Sequence, residues 1–207
     1  MYSPKFNQVH DRAILIEAMQ AYSFAILFGP QSIPDAPTPL VATHLPLVVK
    51  DEGPHGVLEG HFARANRHSQ SLAGREALAV FSGPHTYVSP TLYVDPLSVP
   101  TWNYIAVHAY GTLQLIEDGS GKDALVTALI NSHEPAFTEK WRAMPEDFRR
   151  SMLAGIIGFR IPIARIEGKF KISQNRAEAE RRNVQAAHAA GTPDQQALAQ
   201  WMARLIG

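Results

Sequence analysis

The chain has 207 residues, of which 45% are hydrophobic and 18% are charged, a composition typical of a folded globular protein. Nineteen basic residues balance nineteen acidic ones, so no overall charge favours nucleic acid or a membrane surface. There is no cysteine and no apolar run of signal-peptide or membrane-spanning length, which excludes a disulfide framework and a cysteine nucleophile and predicts a cytoplasmic protein.

The first third of the chain predicts one helix and then strands. Asp11 is the expected N-cap of the helix, whose apolar residues recur at spacings of three and four. Three segments rich in β-branched and aromatic residues predict strands: 24–28, 40–49 and 57–62. Prolines exclude a helix between the first two of these strands: Pro30, Pro34, Pro37 and Pro39. The turn composition of residues 51–56 predicts a hairpin across residues 40–62. Asn66 predicts the N-cap of a short helix that ends near Gly74.

The middle of the chain carries an aromatic strand. Residues 76–81 predict a buried strand, and the proline-rich residues 90–100 predict an irregular loop. In the strand that follows, alternate residues place four rings on one face of a sheet: Trp102, Tyr104, His108 and Tyr110. Such a face suits a flat ligand or a partner subunit, and the pattern leaves both interpretations open.

The last third predicts more helix. Ser120 with Asp123 resembles a capping box, and Pro145 marks the first position of another helix. Residues 156–172 predict strand with a bulge or bend near Ala164, where the apolar positions change phase. Two helices divided at Gly191 form the tail, and Thr192 is the expected cap of the second. An apolar stripe is predicted on this last helix: Leu198, Trp201, Met202 and Leu205. Together the elements predict one α+β domain built on an antiparallel barrel or sheet.

Few local motifs indicate chemistry. The segment 118–123 is not a phosphate loop, because Ile116 replaces its first glycine and Asp123 its serine or threonine. Four histidines lie in or beside strands and could hold a metal or haem iron, although structural histidines are the commoner outcome: His44, His61, His85 and His108. The start of the Asn66 helix, with nearby arginines and serines, is a candidate anion seat: Arg64, Arg67, Ser69 and Ser71.

Seven longer motifs carry a family resemblance: MYSPKF, SFAILF, ATHLPL, GHFARAN, VFSGPHTYVSP, VPTWNYIAVHAYG and KISQNR. In their order and spacing they resemble the PaiB-like proteins, bacterial transcriptional regulators described as negative regulators of protease and sporulation genes and assigned to an FMN-binding family. The resemblance runs over residues 1–182, which we expect to form one FMN-binding split-barrel domain. Residues 183–207 are then a C-terminal helical extension.

This resemblance implies an α+β fold with a split antiparallel β-barrel like that of the pyridoxamine-phosphate-oxidase and flavin-reductase groups. It also implies a cytoplasmic homodimer with FMN at the subunit interface. The implied cofactor-binding residues are Thr43, His44 and Leu45 beside the flavin; Asn66, Arg67 and Ser69 at its phosphate; Ser82, His85, Trp102, Asn103 and Tyr104 at the ring or the interface; and Ser173, Gln174, Asn175 and Arg176 closing the site. No residue stands out as a catalytic acid or base.

Three functions remain open at this point. The resemblance implies a regulator, although the balanced charge and the lack of a helix-turn-helix signature argue against direct DNA contact. The same barrel could serve an FMN-dependent oxidoreductase, in which the flavin carries the redox chemistry. A haem-binding protein is a further alternative, because related split barrels bind haem.

Overall fold

A computed structural model describes residues 1–31 and 38–206 of the chain. The helices in these residues are α1 (Arg12–Ala21), α2 (His68–Leu72), α3 (Gly119–His133), α4 (Thr138–Ala143), α5 (Glu146–Ala154), α6 (Glu178–Ala189) and α7 (Pro193–Ile206). The strands are β1 (Gln8–Val9), β2 (Phe24–Pro30), β3 (Leu40–Pro46), β4 (Val48–Lys50), β5 (Val57–Ala63), β6 (Glu76–Val88), β7 (Thr101–Thr112), β8 (Gln114–Ile116), β9 (Ile156–Pro162) and β10 (Arg165–Lys171). Pro34 and Pro37 lie outside the described residues. Within the described part of the chain, no helix is both long and apolar enough to span a bilayer.

The strands form two sheets. One has six strands in the order β1-β10-β7-β6-β2-β3, and the other has four in the order β4-β5-β9-β8. Neighbours that follow each other in the chain pair antiparallel, as β2 with β3 and β4 with β5 do. The predicted α+β class with antiparallel sheets is therefore confirmed.

The predicted hairpin across residues 40–62 is only partly correct. Its first half, β3, pairs with β2, and only β4 pairs with β5. The chain changes sheets at Leu47, whose backbone N–H donates to Ser23 O at 2.9 Å. The sequence gives no sign of this change of sheet, because Leu47 is buried and continues the apolar pattern of the strand before it. The change of phase near Ala164 is confirmed as a structural break, since β9 ends at Pro162 and β10 begins at Arg165.

The chain divides into two compact units. The first comprises residues 1–15, 82–107 and 167 to the C-terminus, and the second comprises residues 16–81 and 108–166. In the second unit, Phe62 packs against Phe159 at 4.8 Å between ring centroids. These two rings belong to the core of that unit together with other fully buried residues: Leu27, Leu47, Leu58 and Leu72.

The tail helices α6 and α7 belong to the core of the first unit. Trp201 places its ring edge against Phe170 of β10, with 5.3 Å between centroids. The predicted apolar stripe of the last helix is confirmed, since Leu198 and Met202 are fully buried. Thr192 and Gln195 form a reciprocal cap at the start of α7, in which Thr192 N–H donates to Gln195 Oε1 at 2.8 Å.

Helix starts were predicted with mixed success. Asp11 caps α1 as expected, because its Oδ1 accepts the Ala13 N–H at 2.8 Å. The cap of α3 is Asp118 rather than Ser120, since Asp118 Oδ1 accepts the Gly121 N–H at 2.7 Å. A hydrogen bond from the Ser120 hydroxyl, and then the one from the Gly121 N–H, lowers the pKa of Asp118. Pro145 precedes the first turn of α5 rather than beginning it, and α4 was not expected from the sequence.

Candidate functional site

The second unit presents an exposed edge strand. β3 is the last strand of the six-stranded sheet, and β2 is its one neighbour among the described strands. Backbone N–H and C=O groups on its other edge are therefore open to a ligand or to another chain. Thr43 and His44 point to opposite faces of β3. His44 lies on the outer face, with its ring centroid 6.3 Å from that of Phe24, and the adjacent Leu45 is buried.

Thr43 is part of a polar cluster under this strand. Its Oγ1 lies 2.8 Å from His68 Nδ1 and accepts the Asn66 side-chain amide at 3.3 Å. His68 is only 2% exposed, and burial lowers its pKa, which favours the neutral ring. The other ring nitrogen of His68 has no hydrogen-bond partner among the described residues. Sequence reasoning missed His68, because a lone histidine inside a short helix carries no recognisable motif.

The amides at the start of α2 are largely used. Asn66 N–H donates to Ala63 O at 2.8 Å, His68 N–H to Asn66 Oδ1 at 3.0 Å and Ser69 N–H to Asn66 O at 3.3 Å. The Ser69 side chain is fully buried and donates back to Asn66 O. Since α2 has only five residues, it also lacks the dipole of a longer helix. In the predicted anion-binding site, the exposed side chain of Arg67 remains available to a ligand.

The outer face of the second unit is apolar. A cavity of about 460 Å³ opens there. Its walls are mainly hydrophobic side chains from β2, β3 and β6, with one histidine from β7: Phe28, Leu40, Val41, Leu78, Val80 and His108. Its volume lies within the range usual for small-molecule pockets, about 300–1,000 Å³. Leu40 at its rim is 69% exposed.

In the first unit, two of the four rings predicted on one face of β7 are present, those of Trp102 and Tyr104. Trp102 is 53% exposed, and its ring centroid lies 6.2 Å from that of His85 and 6.3 Å from that of Tyr87. Tyr104 lies on the same face of β7, with the ammonium of Lys169 at 5.3 Å from its ring centre. Asn103, which was expected beside these rings, points to the opposite, buried face.

Asn103 belongs instead to a small polar cavity of about 130 Å³ in the first unit. The cavity is lined by side chains of β7, β10 and the segments next to them, among them Tyr93, Thr101, Asn103, Lys171, Ser173 and Arg176. Asn103 is fully buried, and its amide donates to Ser173 Oγ at 3.0 Å. Ser173 is 3% exposed and has a φ of 68°, a left-handed conformation that costs a serine free energy and that is often retained at functional sites.

Two cations line this cavity. The Lys171 ammonium donates to the Thr101 hydroxyl and, at 2.9 Å, to the Trp102 carbonyl. Burial, and then the neighbouring cations Lys169 and Arg176, lower the pKa of Lys171. The Arg176 guanidinium lies 3.8 Å above the centre of the Tyr93 ring. Sequence reasoning missed Lys171 and Tyr93, since neither belongs to a recognisable local pattern.

The remaining predicted residues are scattered over the first unit. The Gln174 side chain accepts the Ile172 N–H at 2.8 Å and donates to Phe170 O, which fixes the end of β10. Asn175 is exposed at the rim of the polar cavity, and Ser82 is exposed on β6. The structure thus groups Thr43 with Asn66 in one unit and Asn103 with Ser173 and Arg176 in the other.

The second unit has groups suited to FMN, the cofactor that the family resemblance implies. FMN needs a cation for its phosphate and hydrogen-bonding groups along the polar edge of its flat ring. The exposed guanidinium of Arg67 and the unpaired backbone edge of β3 supply groups of these two kinds. The residues present therefore fit FMN.

Among the described residues, no three His, Asp or Glu side chains gather where they could hold a metal ion.

A family model and a relative of known sequence each match most of the chain. A family model described as "Putative FMN-binding domain" matches residues 1–165. The chain is 34% identical over 188 residues to "Protease synthase and sporulation protein PAI 2" of Bacillus subtilis (strain 168), a match that covers 89% of this chain and 87% of that protein.

Solved structures share the fold at lower identity. The flavocytochrome Anf3 from Azotobacter vinelandii has a TM-score of 0.59 and 16% identity, with 80% of this chain and 69% of that one covered. The FAD and haem binding protein from Mycobacterium smegmatis has a TM-score of 0.60 and 18% identity, with 80% of this chain and 73% of that one covered. The predicted split-barrel fold is therefore confirmed.

Proposed function

The chain belongs to the family described as "Putative FMN-binding domain", as its motifs implied, and from this premise we propose that it is an FMN-binding regulatory protein that acts as a homodimer. FMN is the cofactor for which the family is described. The observation that carries the proposal is the exposed edge of β3, next to the polar cluster of Thr43, Asn66 and His68. The regulatory part rests on the relative from Bacillus subtilis, whose name refers to sporulation.

In this proposal the backbone edge of β3 receives the polar edge of the flavin ring. Thr43 and His68 hold the strand from beneath, so its backbone groups keep a fixed spacing. The exposed Arg67 guanidinium pairs with the phosphate, a geometry in which arginine can donate two parallel hydrogen bonds. Bound FMN would supply a redox-active ring, and the protein would control access to it.

A second copy of the chain is the proposed occupant of the apolar outer face. Phe24, Phe28 and Leu40 leave large hydrophobic surfaces exposed on β2 and β3. Exposed apolar patches next to an unpaired strand edge are uncommon on monomers and mark interaction surfaces. A partner subunit would cover this face and enclose the ring.

Flavin binding is tested by the absorption spectrum of freshly purified protein, followed by mass spectrometry of any molecule released on denaturation. We expect a flavin spectrum, release of FMN, and tight rebinding of FMN by the emptied protein. Arg67→Gln should weaken FMN binding by tenfold or more and leave riboflavin binding unchanged, because riboflavin has no phosphate. Arg182→Gln, on the exposed face of α6, is the matched control. Lack of FMN binding by the emptied wild-type protein would overturn the proposal.

The regulatory part requires a separate experiment. Gel shifts with DNA fragments from upstream of the protein's own gene, across a salt series, would measure direct DNA binding. Electrostatic binding weakens steeply with salt, so specific retardation that falls with salt supports a DNA-binding regulator. No retardation in either the oxidised or the dithionite-reduced state would exclude direct DNA contact, and regulation would then have to act through a protein partner.

A further inference from the structure

The polar cavity of the first unit has an excess of positive charge. Lys171 and Arg176 line it, and no carboxylate does. Lys171 forms no ion pair among the described residues, and its hydrogen bonds go to the neutral oxygens of Thr101 and Trp102. Arg176 forms an ion pair with Glu180, whose carboxylate lies 3.8 Å from the guanidinium, so Lys171 is the cation of the cavity that has no counter-charge among the described residues. We propose that this cavity is a binding site for a small oxyanion of the size of a phosphate group.

The chemistry of the lining matches such a ligand. An ammonium has three protons, and Lys171 uses two of them in the hydrogen bonds to Thr101 and Trp102, so one remains. Arg176 has five N–H groups, of which one reaches the Ser98 hydroxyl at 3.4 Å and one faces Glu180. The guanidinium carbon lies 3.8 Å from the centre of the Tyr93 ring, a contact that restricts the position of the side chain. One cation without a counter-charge and further N–H donors around one small space favour a small oxyanion.

The shape of the cavity restricts the ligand to a small group. Its volume of about 130 Å³ is well below that of pockets for whole cofactors, about 300 Å³ and above. Asn103 and Ser173 close its base by bonding to each other at 3.0 Å, and both are nine-tenths buried or more. The left-handed backbone of Ser173 fixes the turn between Lys171 and Arg176. Strain of this kind is retained when it holds a functional geometry.

Burial, and then the neighbouring cations Lys169 and Arg176, lower the pKa of Lys171. A bound oxyanion reverses the electrostatic part of this effect, so binding raises the pKa of Lys171 and protonation strengthens binding. Phosphate affinity should therefore decline as the pH rises into the range where Lys171 loses its proton.

The oxyanion belongs to a phosphorylated ligand other than FMN, because the proposed function pairs the phosphate of FMN with Arg67 of the second unit. Inorganic phosphate is the probe. It should be titrated, by isothermal calorimetry and by the NMR shift of the Asn103 side-chain amide, into full-length protein that is flavin-free, saturated with FMN or saturated with riboflavin. Binding to all three forms assigns the site to a separate ligand. Phosphate binding that FMN blocks and riboflavin does not would overturn both the separate ligand and the placement of the FMN phosphate at Arg67.

Variants decide whether this cavity is the place of binding. Lys171→Gln and Arg176→Gln should each lower phosphate affinity by tenfold or more, and Arg176→Lys should lower it less, because it keeps the charge. Lys140→Gln and Arg182→Gln change exposed residues and should have no effect.

The Asn103 amide shift needs no variant, so it keeps the test valid if a substitution prevents folding. The proposal is overturned if flavin-free protein gives no phosphate-dependent shift of Asn103, or if Lys171→Gln and Arg176→Gln bind phosphate as the wild type does. If the wild-type protein binds phosphate but does not bind FMN, the proposed function is overturned and the oxyanion site is not.

Discussion

The hydroxyl of Thr43 on β3 lies 2.8 Å from Nδ1 of His68 on α2. This hydrogen bond joins the edge strand to the helix beneath it. Since His68 is almost fully buried and its other nitrogen has no partner among the described residues, Thr43 provides the single hydrogen bond of the ring. The buried ring therefore depends on one hydroxyl for its hydrogen bond.

Replacing this hydroxyl should destabilise the protein. Thr43→Val keeps the shape but leaves His68 without a partner, and an unsatisfied buried polar group costs about 1–3 kcal/mol. We expect a loss of this size in the free energy of unfolding, measured by urea denaturation, and weaker FMN binding because β3 is less firmly held. Thr43→Ser retains the hydroxyl and is the control. Equal stability of Thr43→Val and wild type would show that the hydrogen bond contributes nothing.

The proposed homodimer gives a prediction at Leu40. This side chain is 69% exposed at the rim of the apolar cavity. Leu40→Glu would place a charge in the subunit interface, and an unpaired buried charge costs several kcal/mol. Analytical ultracentrifugation should show a wild-type dimer and a monomeric Leu40→Glu variant. Leu97→Glu changes a leucine that is 92% exposed in the first unit and should remain dimeric. A monomeric wild type would contradict the proposed assembly.

Glu180 should hold the proline-rich loop in place. Although Glu180 is 6% exposed, its Oε1 accepts the backbone N–H groups of Val94 at 3.1 Å and Asp95 at 3.3 Å. Glu180→Ala removes the acceptor, so hydrogen exchange at these two amides should accelerate strongly. Glu180→Gln retains a side-chain oxygen and should accelerate exchange much less. If exchange is the same in wild type and Glu180→Ala, the loop is held by other contacts.

The sequence predicted elements well where the signal is local. The Asp11 cap, the Thr192 cap and the stripe of Leu198 and Met202 depend on residues within a few positions of each other, and the structure has all of them. The hairpin at residues 40–62 failed because the change of sheet at Leu47 depends on which strands lie beside it, and that information is not local.

The candidate site was predicted less completely, for a related reason. Alternation along β7 correctly placed Trp102 and Tyr104 on one face, but the same rule puts Asn103 on the other, where it meets Ser173 from 70 residues away. Lys171 becomes notable only because Thr101 and Arg176 lie beside it in the fold. Pairs so distant in the chain leave no pattern in a single sequence.

The last prediction concerns acid stability and His188. This residue is 1% exposed at the end of α6, its Nε2 has no partner among the described residues, and burial lowers its pKa below the ordinary value of 6.5. The unfolded chain therefore takes up a proton near pH 6.5 that the folded chain does not, so the stability present above pH 6.5 is lost as the pH falls from there toward the lowered value.

His188→Gln has no titrating group, so the free energy of unfolding should fall less steeply below pH 6.5 than it does in the wild type. Part of the slope should remain, because burial also lowers the pKa of His61 and His68. His10→Gln replaces an exposed histidine and is the control variant. Urea denaturation at a series of pH values measures the slope directly, and the comparison does not depend on whether the glutamine itself lowers stability at neutral pH. An unchanged slope in His188→Gln would mean that His188 is protonated in the folded protein as readily as in the unfolded chain.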